Sequence, residues 1–128
     1  MSKLKIIANM ARCKLCKDEI WSKHVRDHVQ CSCGTIYIDG GVSDYGWRGG
    51  GEYNENISVY SDQPYHKLRH YILRGTRGKD GNEPLKYITL AQMSNEHLNR
   101  TLEYMQDRGQ VDNDHYNYLR QELKFRWL

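Results

Sequence analysis

The last third of the chain has the clearest pattern of hydrophobic and polar positions. Leu98, Leu102 and Met105 recur at the spacing of one helical face, with polar residues between them. Ser94 precedes this stripe, and serine commonly caps helix N-termini with its hydroxyl oxygen. The pattern therefore predicts a helix over residues 94–108.

A second amphipathic stripe follows after a short polar link that contains Gly109. Asp112 is the expected N-cap of this second helix, which is predicted over residues 112–127. Its expected apolar face consists of Tyr116, Leu119, Leu123 and Trp127. Because the link is short, the two helices are predicted to form an antiparallel helical hairpin.

Shorter elements are predicted before this hairpin. A β-branched and aromatic run at residues 35–38 predicts a strand, and the apolar run within residues 3–12 predicts another. The remaining predicted elements are an irregular strand at 52–60, a short helix at 64–74 and a strand at 84–90. The expected fold class is α+β: a small ribbon of β-hairpins, followed by a short helix, a strand and the helical hairpin.

Two segments lack a regular period and are predicted to be loops. Residues 17–30 show neither strand nor helix periodicity. Residues 40–51 contain six glycines, which surround Tyr45, Trp47 and Arg48. Exposed aromatic rings beside an arginine are typical of protein contact surfaces. We interpret these three residues as a partner-binding surface, with the alternative that both rings fold back onto the ribbon.

Candidate chemistry is concentrated in the cysteines. The chain has four, arranged as two close pairs: Cys13 with Cys16, and Cys31 with Cys33. Two pairs of thiolates separated by a loop match the needs of a tetrahedral zinc ion. The rival interpretations are a thioredoxin-like redox pair formed by Cys13 and Cys16, or free thiols. We favour zinc bound by all four cysteines.

His28 offers an alternative ligand, because it precedes Cys31 at a ligand-type spacing. In that alternative set His28 replaces Cys33. Four soft thiolates form the stronger zinc set, and His28 is also explained as part of a solvated basic loop. Four cysteines leave no open position for water, so the zinc is expected to be structural and not catalytic.

Length and composition support a structural role for the metal. The chain has 128 residues, of which 38% are hydrophobic, with ten Tyr, three Trp and a single Phe. So few aliphatic residues form only a modest core, which a bound metal ion would strengthen. We predict a zinc-ribbon-like domain over residues 1–51 and an α+β region over residues 52–128.

The formal net charge of +3 does not by itself indicate nucleic-acid binding. Four thiolates with a divalent ion contribute about −2, which leaves the metal-bound protein near neutral. A local basic cluster is more informative and consists of Arg69, Arg74, Arg77 and Lys79. These residues are candidate contacts for nucleic acid or, through the glycine-rich loop at 75–81, for a phosphate group. The loop is not a Walker motif, and a plain surface loop is the alternative interpretation.

Signatures of known catalytic sites are missing from the sequence. It has no zinc-protease, deaminase or nucleophile-elbow pattern, so we expect a protein without enzymatic activity. No run has the length of a signal peptide or of a membrane span. Cysteines paired for metal binding suit a reducing compartment, and the expected location is the cytoplasm.

Two groups of motifs give the chain a resemblance to a known family. The first is Cys13-x-x-Cys16 with Cys31-x-Cys33-Gly34, followed by Asp39-Gly40-Gly41. The second is the run from Gly75 to Gly81, followed by Pro84-Leu85-Lys86-Tyr87 and by Met93 to Leu98. Together they cover most of residues 10–105, and the chain resembles uncharacterised zinc-ribbon-like accessory proteins of tailed bacteriophages. The resemblance implies bound zinc and an accessory role in the host cell cytosol, and it gives no indication of a biochemical activity.

The function expected from these features is a zinc-stabilised, non-enzymatic binding module. Its partner would be a host or phage protein, such as a defence, transcription or nuclease component, contacted through Tyr45, Trp47 and Arg48. A nucleic-acid-binding ribbon is the second hypothesis. Capture of a small phosphate-bearing nucleotide by residues 75–81 is the third. No membrane partner is expected.

Overall fold

The protein is α+β, and its computed structural model describes residues 4–42, 46–78 and 80–127. The chain divides into two compact units, Met1–Gln63 and Pro64–Leu128. Antiparallel β-hairpins that carry the cysteines form the first unit, and the second contains a pair of C-terminal helices. The fold class predicted from the sequence is confirmed. The division between the units lies after Gln63, whereas the sequence places it after Gly51.

The described part of the first unit contains seven strands in two antiparallel sheets. The strands are β1 Ile6–Cys13, β2 Glu19–Ser22, β3 Val29–Gln30, β4 Tyr37–Ile38, β5 Arg48–Gly49, β6 Asn54–Asn56 and β7 Val59–Tyr60. Strand β1 is central in one sheet, with β2 on one side and β6 and β7 on the other. The second sheet has the order β3–β4–β5.

Strand pairing with β1 explains where the first unit ends. Ala11 lies opposite Asn56 in β6, and Ile6 lies opposite Tyr60 in β7. Arg12 strengthens this arrangement, because its guanidinium binds Glu19 at 2.6 Å on one neighbouring strand and Glu55 at 3.2 Å on the other. Residues 52–60 therefore belong to the ribbon, although their irregular sequence pattern does not show it.

The predicted loop at residues 17–30 is wrong, because β2 and β3 both lie within it. Strand β2 is only four residues long, which is too short to establish a period of two. Its register nevertheless places Ile20 beside Ala11 in the core of this unit. The core also contains Ile36 and Ile38, and both are fully buried.

The second unit contains three α-helices, a short 3-10 helix at Leu90–Gln92 and one hairpin among its described residues. The elements are α1 Tyr65–Leu68, β8 Leu73–Thr76, β9 Lys86–Thr89, α2 Asn95–Asp107 and α3 Asp114–Arg126. The helix predicted over residues 64–74 is shorter than expected and ends at Leu68. The chain is extended from Leu73 onwards because β8 pairs with β9 in an antiparallel hairpin. The strand predicted at residues 84–90 is confirmed as β9, but the sequence pattern did not predict that residues 73–76 would pair with it.

Helices α2 and α3 run antiparallel, as predicted. Gln106 near the end of α2 donates to the hydroxyl of Tyr116 near the start of α3 at 2.9 Å. At the opposite end, Arg126 donates to the side-chain oxygen of Asn95 at 2.8 Å. Contacts at both ends require opposite helix directions.

The predicted cap of α2 is confirmed and that of α3 is wrong. The hydroxyl of Ser94 accepts a hydrogen bond from the backbone N–H of His97 at 3.0 Å. At α3 the cap is Asn113 instead of Asp112, since the Asn113 side-chain oxygen accepts from the N–H of Tyr116 at 2.7 Å. Asp and Asn have similar capping preference, so the sequence did not separate these neighbours.

The buried face of α3 also differs from the prediction. Tyr116 and Leu119 are buried as expected, but Trp127 is 77% exposed. The fully buried polar residue on this helix is Glu122, whose carboxylate binds Arg69 and Arg126. Burial of a glutamate requires such pairing, because an unpaired carboxylate is strongly disfavoured away from water.

Candidate metal centre

The first cysteine turn follows directly from strand β1. Cys13 is the last residue of β1, and the chain then reverses through Cys16 towards β2. Two backbone hydrogen bonds close the reversal: the N–H of Lys17 donates to the oxygen of Cys13 at 2.8 Å, and the N–H of Cys13 donates to the oxygen of Asp18 at 2.9 Å. Both thiols therefore project from one tight turn.

The second cysteine turn lies between β3 and β4 and has the same design. The N–H of Gly34 donates to the oxygen of Cys31 at 3.0 Å, and the N–H of Cys31 donates to the oxygen of Ile36 at 3.1 Å. Gly34 has a φ of 78°, in the left-handed region that glycine adopts without steric cost. The glycine noted in the sequence thus allows the chain to reverse after Cys33.

Lys17 occupies the position in the first turn that Gly34 occupies in the second. Each residue directly follows the second cysteine of its pair, and Lys17 has a φ of 66°. It is the one non-glycine with positive φ in the part of the chain that the structure describes. A left-handed conformation costs a residue with a β-carbon about 1–2 kcal/mol. The turn imposes this conformation despite the lysine side chain.

The two turns bring all four predicted cysteines together. Sγ of Cys33 lies 3.7 Å from Sγ of Cys13 and 3.6 Å from Sγ of Cys31, and the four sulfur atoms lie within 4.8 Å of one another. Four thiolates at a Zn–S distance of about 2.3 Å define a tetrahedron with edges of about 3.8 Å. The observed spacing therefore fits a tetrahedral metal site of four sulfur ligands.

Burial places the cluster at the edge of the apolar core. Cys13 is fully buried and Cys31 is 5% exposed, and both belong to the hydrophobic cluster that includes Ile36 and Ile38. Cys33 is exposed and forms the outer side of the site. A metal bound here would join the end of β1 to the turn between β3 and β4 through residues that already contact the core.

Hydrogen-bond donors around the sulfurs suit thiolates. The backbone N–H of Ile36 donates to Sγ of Cys31 at 3.4 Å, and the hydroxyl of Thr35 lies 3.1 Å from Sγ of Cys33. The hydroxyl and the backbone N–H of Thr35 lower the pKa of the metal-free Cys33 thiol to about 6. Burial and the thiol of Cys33 oppose ionisation of Cys31, yet the N–H of Ile36 and the thiols of Cys13 and Cys16 lower its pKa.

Cys13 behaves differently in the metal-free cluster. The N–H of Cys16 favours its thiolate, but burial and the neighbouring thiols outweigh this effect and raise the pKa of Cys13 to about 11. Four close sulfurs cannot all carry negative charge without a cation, so the protons are shared unequally among them. A divalent metal would remove that conflict by neutralising the four thiolates.

Asp18 is a residue of the site that sequence reasoning missed. Its carboxylate accepts hydrogen bonds from the backbone N–H and the hydroxyl of Ser32, at 3.0 and 2.8 Å. Asp18 lies just after the first cysteine turn, and Ser32 lies between the cysteines of the second. The carboxylate therefore links the two turns directly. Its position after Lys17 gave no indication of this contact, which depends on tertiary structure.

His28, the alternative ligand, lies with other partners. Its Nδ1 atom is 3.3 Å from the carboxylate of Asp39, and its ring centroid is 5.2 Å from that of Tyr37. The side chain is 56% exposed. The structure thus assembles the four cysteines into one cluster and places His28 in a separate contact with β4 and its following turn.

The predicted contact surface is only partly described. Tyr45 lies outside the described residues. Trp47 is 70% exposed, so its ring does not fold back onto the ribbon. Its backbone is nevertheless held: its N–H donates to the carboxylate of Asp39 at 2.9 Å, and its oxygen accepts from the N–H of Asp39 at 3.0 Å. Trp47 is therefore an exposed ring on a fixed backbone.

Arg48, unlike the neighbouring Trp47, binds other residues of the first unit. Its guanidinium donates to the side-chain oxygens of Asn54 at 2.8 Å and Asn9 at 3.0 Å. It also donates to the backbone oxygen of Met10 at 3.3 Å. Arg48 therefore ties β5 to the central strand β1, and burial lowers its pKa accordingly.

The predicted basic cluster is not one surface. Arg69 binds the buried carboxylate of Glu122 through two hydrogen bonds of 2.9 and 2.8 Å. Arg74 lies 3.1 Å from Nε2 of His115, and burial together with Arg74 lowers the pKa of that histidine. Arg77 is exposed, and Lys79 lies outside the described residues. Two of the four cations thus have internal partners.

Fold and site together define a small α+β protein with a four-cysteine metal-type cluster. A family model described as "Domain of unknown function (DUF7695)" matches residues 5–50, which include the four cysteines. The match covers a little over a third of the 128 residues. No curated protein and no solved structure matches the chain. None of the helices in the described segments is long and apolar enough to cross a membrane.

Proposed function

We propose that this protein is a zinc-stabilised, non-enzymatic binding module that engages a partner protein through the surface around Trp47. The metal would be zinc, because four thiolates in tetrahedral spacing are the ligand set that zinc prefers in structural sites. With four protein ligands no coordination position is left for water or substrate, which favours a structural ion. The ion would hold the turns while another surface makes the contact.

The observation that carries the binding role is the exposure of Trp47. A tryptophan that is 70% exposed leaves a large apolar ring in water unless a partner covers it. Because Asp39 holds its backbone on both sides, little conformational entropy is lost when the ring is covered. Tryptophan on a pre-ordered backbone is the type of residue that dominates protein interfaces.

The chemistry of the surface favours a protein partner over nucleic acid. Arg69 and Arg74, half of the predicted basic cluster, are engaged inside the second unit. Beside Trp47 in the first unit, Arg48 is engaged by Asn9 and Asn54. The resemblance to phage accessory proteins is the reason to expect the partner among host or phage proteins.

The test compares two exposed tryptophans in the full zinc-loaded chain. Trp47→Ala removes the proposed anchor, and Trp127→Ala removes a ring that is equally exposed but lies in the second unit. Each variant is used as affinity bait in a bacterial lysate, and a captured protein is then purified and its affinity measured by calorimetry. We expect Trp47→Ala to weaken binding at least about thirtyfold, since truncation of an anchor residue costs about 2 kcal/mol or more.

The control determines how the result is interpreted. Trp127→Ala should change the affinity by less than about twofold, because Trp127 belongs to the second unit and is not part of the proposed surface. Equal loss of affinity in both variants, or no loss with Trp47→Ala, would refute the assignment of this surface. Arg48 is left unchanged, because removing it would disturb β1 and β5 and confuse folding with binding.

A further inference from the structure

The second unit contains an open cavity that neither the metal cluster nor the Trp47 surface explains. Its volume is about 390 Å³, and residues of β8, β9 and the first turns of α2 line it. The lining side chains that carry the argument are Thr76, Lys86, Gln92, Ser94, His97 and Arg100. This volume lies at the lower end of the range of about 300–1,000 Å³ that is typical of small-molecule sites.

Three neutral side chains of the lining already use an oxygen to accept a hydrogen bond. Thr76 accepts from the N–H of Gly78 at 3.3 Å, and Ser94 accepts from the N–H of His97 at 3.0 Å. The side-chain oxygen of Gln92 accepts from the N–H of Thr89 at 2.8 Å. Beside one remaining lone pair each, these groups still offer two hydroxyl protons and one amide NH2 as donors. The neutral part of the lining is therefore rich in donors.

The charged part of the lining adds further donors. Lys86 and Arg100 both line the cavity, and Arg100 holds the carboxylate of Glu96 at 2.6 Å. That ion pair is exposed on both sides, so it is weak and leaves other guanidinium N–H groups available. Burial and the nearby charge of Arg74 lower the pKa of His97, which favours its uncharged form. The charged lining side chains sum to one net positive charge.

We propose that this cavity binds a small molecule bearing a phosphate group. A phosphate monoester presents several acceptor oxygens in different directions, which matches donors converging from two strands and a helix. Ile88, the apolar residue of the lining, offers a contact for the uncharged part of the ligand. This site lies in the other unit from the Trp47 surface and stands independently of the proposed protein-binding role.

Glu83 is an acidic residue next to the cavity, and its charge should affect phosphate binding in the direction opposite to that of Lys86. Gly78 belongs to the lining, and the carboxylate of Glu83 packs so closely against it that a β-carbon at position 78 would collide with that side chain. Glycine is favoured here by its φ of 81°, whereas the exposed Glu83 side chain can move aside. A carboxylate at the rim repels a phosphate, so neutralising it should strengthen binding where neutralising Lys86 weakens it.

The experiment is calorimetric titration of the full zinc-loaded chain. The probes are adenosine monophosphate, adenosine, inorganic phosphate, succinate and a single-stranded oligonucleotide. We expect adenosine monophosphate to bind at least about tenfold more tightly than adenosine, because hydrogen bonds to a charged group contribute on that scale. Inorganic phosphate should compete for the site better than the dicarboxylate.

Charge variants locate the binding within the molecule. Lys86→Gln should weaken the binding of adenosine monophosphate about tenfold and Glu83→Gln should strengthen it about twofold. Arg120→Gln removes an exposed cation of α3 that does not line the cavity and should leave the affinity unchanged. All three positions are exposed, and thermal unfolding confirms that each variant is folded.

Four results of the titrations with measurable binding would overturn the proposal. They are equal affinity for adenosine and its monophosphate, tighter binding of succinate than of phosphate, tighter binding of the oligonucleotide than of the mononucleotide, and equal weakening by Lys86→Gln and Arg120→Gln. The proposal would also be overturned if no probe gave binding heat and the backbone amide NMR resonances of Gly78 and Ser94 did not shift when the probes were added.

Discussion

Replacing Glu122 with glutamine tests how the second unit is held together. The Glu122 carboxylate is fully buried and receives four hydrogen bonds. Tyr65 and Nε of Arg69 donate to one oxygen, both at 2.9 Å. The other oxygen accepts from Arg69 at 2.8 Å and from Arg126 at 2.6 Å. The carboxylate thus uses all the acceptor positions that its two oxygens offer.

The expected loss of stability in Glu122→Gln follows from this hydrogen-bond geometry. In Glu122→Gln one oxygen becomes an NH2 group, and either orientation of the amide places that NH2 against an arginine N–H. The hydroxyl of Tyr65 can turn to accept from the NH2, because it also lies 3.1 Å from the backbone oxygen of Tyr118. At least one charge-assisted hydrogen bond is therefore lost, and two arginines keep their charge without a buried counter-ion. Breaking a buried pair in this way costs about 3–5 kcal/mol. That loss is a large part of the stability of about 5–15 kcal/mol of a small domain.

Thermal unfolding followed by circular dichroism at 222 nm measures the effect, because α2 and α3 lie in this unit. A change of 1 kcal/mol shifts the midpoint by about 4–8 °C for a domain of this size, so we expect a decrease of about 12 °C or more. Glu103→Gln is the matched control, an exposed glutamate on α2, and should shift the midpoint by less than about 3 °C.

The pH dependence of the stability tests separately whether the charge of Glu122 is what stabilises the second unit. Burial opposes the charged form of Glu122, but hydrogen bonds from Arg69, Arg126 and Tyr65 outweigh it and lower its pKa. A lowered folded pKa contributes stability above the unfolded value, near 4.3, and this stability is lost as pH falls through the folded pKa. The difference in the free energy of unfolding between wild type and Glu122→Gln should stay constant above about pH 5 and become smaller below about pH 4. A loss below about 1 kcal/mol at pH 7, or a difference that widens in acid, would refute the reasoning.

Two further predictions concern the metal centre. Lys17→Gly should stabilise the first unit by about 0.5–1 kcal/mol and raise the chelator concentration needed to remove zinc, because glycine adopts the left-handed conformation of residue 17 without steric cost. The control Lys14→Gly, in the same turn, should destabilise the unit. A decrease in stability with Lys17→Gly contradicts this account of the turn. Removal of the metal with a chelator should abolish the protection of backbone amides in β1 and β4 from hydrogen exchange. Most of the circular dichroism signal at 222 nm should persist, since α2 and α3 contain no cysteine. Loss of the helical signal in parallel would show that the units unfold as one.

The sequence was sufficient where a local rule decides the structure. The spacing of the cysteine pairs predicted which side chains come together, because each turn is closed by hydrogen bonds between near neighbours. Helix α2 was predicted well because Ser94 and the stripe of Leu98, Leu102 and Met105 all act within one helix. In these cases the determining contacts lie within a few residues.

The sequence was insufficient where a distant partner decides. Strand β8 is extended only because β9 pairs with it, so the helical spacing before Arg74 was misleading. Arg69 was assigned to a ligand surface, yet it binds Glu122, which is fifty-three positions away. A pattern of residue types cannot show whether an arginine faces solvent or a buried carboxylate. The open cavity likewise depends on strands and a helix that meet only after folding.

The position of the metal cluster connects zinc with the proposed contact surface. Cys13 and Cys31 share an apolar cluster with Ile38, which belongs to β4. Ile38 pairs with Arg48 in β5, and Trp47 directly precedes that strand. Loss of zinc would loosen the core around Ile38 and with it the backbone of Trp47, although no cysteine touches a partner. Because the proposed zinc ion and the proposed partner would both bind the folded ribbon, we expect each ligand to increase the apparent affinity of the other.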